Sequence, residues 1–174
     1  MKMYVNLIIR YSILLIIALP NLFIFYFIFT PLTVKPVLFL LSLFYTIDSA
    51  VGNIISFNGN SIYLIDACIA GAAYYLLFIL NLSTPMKLNK RTYSLLFISA
   101  AFLLLNIIRI FVFSVLFTNG FSYFDFAHKV TWYLGSTIFI VLIWFINVKI
   151  FKIKGIPVYT DLSYLYKSSK IKSK

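Results

Sequence analysis

The sequence predicts an all-α polytopic membrane protein with about five transmembrane helices and a short extracellular hairpin before the third. Three observations carry that expectation. Of 174 residues, 63% are hydrophobic and only 11% charged, too few polar groups to cover a soluble domain. Apolar runs long enough to cross a bilayer recur along the whole chain. The charge is also one-sided: 15 Lys and Arg stand against 4 Asp, with no Glu, and the basic residues gather at the ends of the apolar runs. The length leaves room for these spans with short connections and for no separate soluble domain.

The first span covers about residues 7–29, with Pro20-Asn21 as a kink within it. No small-x-small cleavage pattern follows the apolar stretch, so it does not read as a removable signal. "TPLTVKP" is a turn-rich break, and a second, short span runs over about 36–51 with Asp48 near its far end. Asn58-Gly59 in "IISFNGNSIYLI" is a tight-turn pair between β-prone runs, which gives the hairpin at the membrane surface. The third span is about 67–84, with Asp66 as its N-cap and Pro85 as its end marker. It would be roughly 27 Å long, enough to cross. The basic loop "MKLNKR" follows, then a fourth span over about 94–117, the loop "TNGFSYFDFAHK", and a fifth span over about 130–150. A basic cytoplasmic tail, residues 151–174, closes the single membrane domain of residues 1–150, and no internal repeat is visible.

The basic loop and the basic tail pull to the same side, as two intervening spans require, and the positive-inside tendency makes that side cytoplasmic. The hairpin, Cys68 and the loop before the fifth span are then outside the cell membrane. Eleven of the fifteen basic residues fall inside, leaving Lys2, Arg10, Arg109 and Lys129. Five crossings put the N-terminus outside, against the charge of Lys2 and Arg10; a re-entrant second segment removes that conflict. An excess of positive charge at segment ends meets anionic head groups, so nucleic acid is not the expected partner. One cysteine forms no internal disulfide, and with the lone His128 it builds no zinc site; no metal or cofactor is expected.

In this arrangement Cys68 lies in the first turn of the third span, at its outer end. Arg109 lies about 12 Å below the outer boundary of the fourth span by helix rise. His128 is in the outer loop at the start of the fifth. Each has an ordinary reading. A membrane cysteine can be a small hydrophobe, a histidine an interfacial hydrogen-bonding residue, and an arginine can snorkel to head groups. Arg109 resists that reading most, because a charge inside a span costs roughly 3 kcal/mol or more and faces a polar site. Asn106 is one turn earlier on the same face, so "NIIRI" presents an amide beside a guanidinium.

Together the three suit thiol chemistry. The positive end of a helix favours a thiolate, which is the nucleophile. A histidine can take the thiol proton and return one to a leaving amine, and an arginine can hold the oxyanion. Asp66 opposes the thiolate by charge, so it is read as a cap or as a partner for His128 or Arg109.

"DACIAG" after "FNGNSIYLI", then "NIIRI", then "HKVTWYLG" before the last span resembles the exosortase/archaeosortase family, over roughly residues 32–150 and most like its small archaeal members. The resemblance implies a membrane-embedded, sortase-like cysteine transpeptidase or protease. Cys68 would be the nucleophile, Arg109 the arginine of the N-x-x-R motif, and His128 the third site. It implies exported proteins as substrates, each with a C-terminal motif, a transmembrane helix and a basic tail. They would be cleaved near the motif and passed to a membrane lipid or another acceptor, on the extracytoplasmic face. The family cysteine is commonly followed by Thr or Ser and then Gly, whereas Ile69, Ala70 and Gly71 follow it here. The competing class is a small-solute-binding subunit of a transporter, which would use Arg109 to hold a carboxylate and would not need Cys68.

Overall fold

A computed structural model describes residues 2–19 and 22–172. It is mostly helical, and three of its helices are long and apolar enough to cross a membrane: Phe23–Ser42, Leu88–Thr118 and Phe124–Ile150. Two apolar helices are shorter, Val5–Ala18 and Asp66–Leu82. The elements in order are α1 (Lys2–Ala18), α2 (Phe23–Ser42), β1 (Ile47–Val51), β2 (Ile54–Phe57), β3 (Asn60–Tyr63), α3 (Asp66–Ile69), α4 (Gly71–Leu82), α5 (Leu88–Thr118), α6 (Phe124–Val130), a π-helical turn (Thr131–Gly135), α7 (Ser136–Ile150) and α8 (Tyr159–Lys172).

The N-terminal third differs from the spans drawn at 7–29 and 36–51. Helix α2 runs straight through Pro31 and Pro36, and residues 47–51 form a strand. In apolar surroundings a freed carbonyl finds no water, so the chain keeps its helix and gives up only the two hydrogen bonds that proline cannot donate. The kink expected at Pro20-Asn21 falls outside the described residues. The third span is broken as well: α3 is a single turn, Ala70 takes a left-handed conformation (φ 60°, ψ 43°), and α4 starts at Gly71. The basic loop is shorter than "MKLNKR", because α5 already begins at Leu88. The last span begins earlier than residue 130, since α6 starts at Phe124 and takes His128 into a helix.

Aromatic packing fixes how these helices meet. Phe29 stacks on Tyr74 with ring centres 3.6 Å apart, Tyr74 meets Phe102 edge-on at 4.8 Å, and Phe25 closes on Phe78. These contacts join α2, α4 and α5 around one apolar core. Below it Asn81 donates to Ser94 Oγ (2.6 Å), which donates to Asn147 Oδ1 (2.9 Å), so α4, α5 and α7 share a polar seam. Such side chains act as glue where apolar burial gives no preference.

The strands make a sheet of order β1-β2-β3, all antiparallel. Asn58 (φ 49°) and Gly59 (φ 73°) form the β2–β3 turn, a conformation these two residue types accept at low cost. The Asp48 carboxylate, at a bulge in β1, accepts the Gly59 N–H at 3.0 Å. Ile55, Phe57 and Leu64 are buried beneath the sheet.

The described helices run between two ends. At one end lie the sheet, α3 and the 118–124 connection. At the other, Arg10 on α1 donates to Leu82 O, Val158 N–H donates to Ser83 O, and Lys90 Nζ donates to Lys152 O. Residues 159–172 are therefore no free tail: α8 is held there by Asp161, whose two oxygens each accept Arg10 Nη2 at 2.8 Å.

Candidate functional site

Cys68 sits on the single turn α3, half-buried, with its N–H donating to Ile65 O at 2.8 Å. The break at Ala70 interrupts the helical ladder just after it, and the carbonyls of Cys68 and Ile69 need other donors. Helix α5 supplies them. Asn106, 1% exposed, donates from Nδ2 to Cys68 O (2.8 Å) and reaches Ile69 O (3.5 Å). Arg109, one turn on, donates from Nη2 to Cys68 O at 3.3 Å. The "NIIRI" face thus grips the backbone that carries the thiol.

The left-handed Ala70 costs of order 1–2 kcal/mol relative to glycine at such a position. Gly71 follows for a different reason: a Cβ there would stand 2.8 Å from the Tyr26 ring. The break is thus bracketed by a strained alanine and by an aromatic lid from α2.

Arg109 is held from its other side by Ser136, whose Oγ accepts Nη1 at 3.0 Å. Ser136 opens α7 immediately after the π turn, an irregularity that shifts the helical register by one residue. Sequence reading did not single out Ser136. The signal available was its place eight residues after His128, on the same face of an ideal helix. His128 is exposed and clamped by rings, stacked on Phe124 (5.5 Å, 13°) and edge-on to Phe113 (5.2 Å).

Cys68, Arg109 and His128, from three separate segments, border one cavity of about 240 Å³ and a smaller one of about 90 Å³. The larger is walled by β3 and by apolar side chains including Ile110, Phe113 and Phe117; Trp132 stands in the wall of the smaller. Among the described residues no carboxylate lines either.

Two expectations about this site change. Asp66 is not the N-cap: Ile65 occupies that position, and Asp66 is the first helical residue, exposed. Nor does it pair with His128 or Arg109, since the one ion pair among the described residues joins Arg10 to Asp161. The helix dipole at Cys68 also shrinks to that of one turn, because the ladder stops at Ala70. The positive charge near the thiol comes from Arg109 instead.

No protein-family model, no curated protein and no solved structure matches the chain. What the site can do is therefore read from Cys68, His128 and Arg109. Chemically they comprise a nucleophile, a ring base open to solvent, and a guanidinium fixed at two nitrogens with further N–H donors to spare.

Proposed function

We propose that the chain is a membrane-embedded cysteine peptidase or transpeptidase that cleaves C-terminal sorting signals of exported proteins. One observation carries the reading: Cys68, Arg109 and His128 border a common cavity at one end of the bundle. The resemblance to exosortases and archaeosortases supplies the substrate class. The Cys68 thiol gives its proton to His128 and its sulfur bonds to the scissile carbonyl carbon, while Arg109 takes the charge that builds on the carbonyl oxygen. Collapse breaks the C–N bond, His128 returns the proton to the leaving amine, and a thioester remains. Water, or a nucleophilic group on a lipid or other acceptor, then attacks that thioester and releases Cys68.

The site would face the outside of the cell membrane. The end that holds Arg10, Lys90 and Arg91 gathers the basic residues, which points it to the cytoplasm. With α1 and α2 read as the two parts of one crossing, the spans number four. Lys2 and Arg10 then fall on the cytoplasmic side, in keeping with the charge rule. An impermeant thiol reagent on intact cells should label Cys68 and leave Asn89→Cys unlabelled in a Cys68→Ala background. Labelling at 89 would reverse the orientation.

The enzyme itself is tested in cells that carry wild type or Cys68→Ala. The C-termini of membrane and exported proteins are read by mass spectrometry. The variant should retain precursors with a C-terminal transmembrane helix and basic tail; identical C-termini in both strains would end the proposal.

The absence of a carboxylate beside Arg109 favours a second reading, a binding subunit for a small anionic solute. That reading requires Cys68→Ala to keep full solute binding and uptake.

A further inference from the structure

β3 is an edge strand. In the order β1-β2-β3 only one of its sides is paired. The Asn58-Gly59 turn closes on the pair Phe57↔Asn60, so Asn60, Ile62 and Leu64 direct their main-chain groups toward β2. The Leu64 N–H accordingly donates to Asn53 O at 2.9 Å. Alternation turns the N–H and C=O groups of Ser61 and Tyr63 the other way. The Tyr63 carbonyl is taken locally by the Ile65 N–H at 3.1 Å. Both N–H groups and the Ser61 carbonyl have no partner among the described residues.

That open edge is where the thiol is. Ser61, Ile62, Tyr63 and Leu64 border the 240 Å³ cavity in unbroken succession, together with Cys68. Successive side chains of a strand point to opposite faces. A cavity that meets four residues in a row therefore meets the edge of the strand and not one of its faces. The remaining walls are rings and aliphatics with Ser114 and His128 among them, and among the described residues the lining holds the charge of Arg109 and no carboxylate.

We propose that the free edge of β3 is the docking subsite for the segment to be cut. An extended peptide adds there as a fourth strand, main chain to main chain with Ser61 and Tyr63, and crosses to Cys68. The occupant is a peptide because the unmet groups are main-chain N–H and C=O, which another extended backbone satisfies in alternation. It is extended because a helix has already spent its own donors and acceptors. It is neutral or acidic where it passes Arg109, which would repel lysine or arginine. Its use in cleavage rests on the thiol-enzyme reading above, whereas the docking does not.

The probe is a mixture of random-sequence tetrapeptidyl chloromethyl ketones, reacted with the full chain in lipid nanodiscs. Alkylation of Cys68, the single thiol, is followed by mass spectrometry, with iodoacetamide as the reference. Bond formation at Cys68 fixes the register of each peptide. Methylating every second backbone nitrogen should therefore slow alkylation about tenfold in one register and leave the other unchanged, the worth of about one main-chain hydrogen bond. Tyr63→Pro removes an outward N–H and spares the pairing with β2, a position where an edge strand accepts proline. It should slow the unmethylated peptides to a similar degree while iodoacetamide reacts at the wild-type rate. Equal rates for the two registers in wild type would overturn the docking site, whatever the variant does. Register-dependent alkylation together with unchanged cellular C-termini in Cys68→Ala would keep the docking edge and remove the peptidase. The reverse pair of results would keep the peptidase and remove the edge.

Discussion

At the end of the bundle that carries α8, two arginines are closed in. Arg10 spends its guanidinium on both oxygens of Asp161 and on Leu82 O, and Arg91 donates to the carbonyls of Asn81, Leu82 and Thr84. Together they cap the last turn of α4, whose carbonyls have no partner within the helix. At the opposite end Arg109 also binds a carbonyl freed by a helix interruption, yet its other hydrogen bond goes to a neutral hydroxyl and no carboxylate balances its charge. It stands in the wall of both cavities. The two ends use one residue type for two purposes. Where arginine is buried among backbone carbonyls, with a carboxylate beside Arg10, it holds helices together; where it borders a cavity with no carboxylate beside it, it is available to a ligand or a transition state.

The contrast can be broken by substitution, beginning with the closed end. Arg10 and Asp161 are both nearly excluded from solvent, 5% and 3% exposed, so removing one partner strands the other. Asp161→Ala should cost about 3–5 kcal/mol and release α8. The check is the thermal midpoint in detergent together with protease cleavage between Phe151 and Tyr159. A midpoint equal to wild type would make the closed end no more structural than the open one. The double change Arg10→Met with Asp161→Leu should recover most of that loss, because it leaves no buried charge unpaired.

Arg109→Lys probes the open end and should affect rate before stability. Lysine keeps the charge and loses the planar fork that reaches Cys68 O and Ser136 at once. Cleavage should fall about 10²- to 10³-fold, the usual loss for one oxyanion donor, with substrate still co-purifying and the melting midpoint little changed. Normal cleavage would reduce Arg109 to a backbone clamp of the same kind as Arg91. A collapse in stability equal to that of Asp161→Ala would erase the distinction between the ends.

The smallest effect is at the helix break. Ala70→Gly should stabilise the chain by about 1 kcal/mol, because glycine accepts the left-handed conformation that alanine holds under strain. The thermal midpoint should rise slightly with Cys68 still reactive. A fall in the midpoint would mean that the alanine methyl packs more strongly than its backbone is strained.

Part of this molecule is set by residue chemistry over short distances. The apolar runs and the end-placed lysines dictate helices for an apolar medium, since a backbone without water must bond to itself. The positive φ angles at Asn58 and Gly59 follow from which side chains tolerate them. The Asn106–Arg109 spacing follows from the helical period, as does the shared face on which both reach Cys68 O. Other features depend on what the chain meets far along its length. The proline pair at 31 and 36 looks like a break until the surroundings of α2 leave its carbonyls nothing better than a helix. The run from Asp66 to Leu82 looks like one helix, and its interruption at Ala70 holds because Asn106 and Arg109 receive the loosened carbonyls while Tyr26 covers Gly71. Arg10 and Asp161 are 151 residues apart and nothing local pairs them. Ser136, the second anchor of Arg109, is 27 residues along the chain and nothing local pairs the two. Local periodicity decides which groups a segment offers, but only packing decides which distant group answers them, and here that choice separates the closed end from the open one.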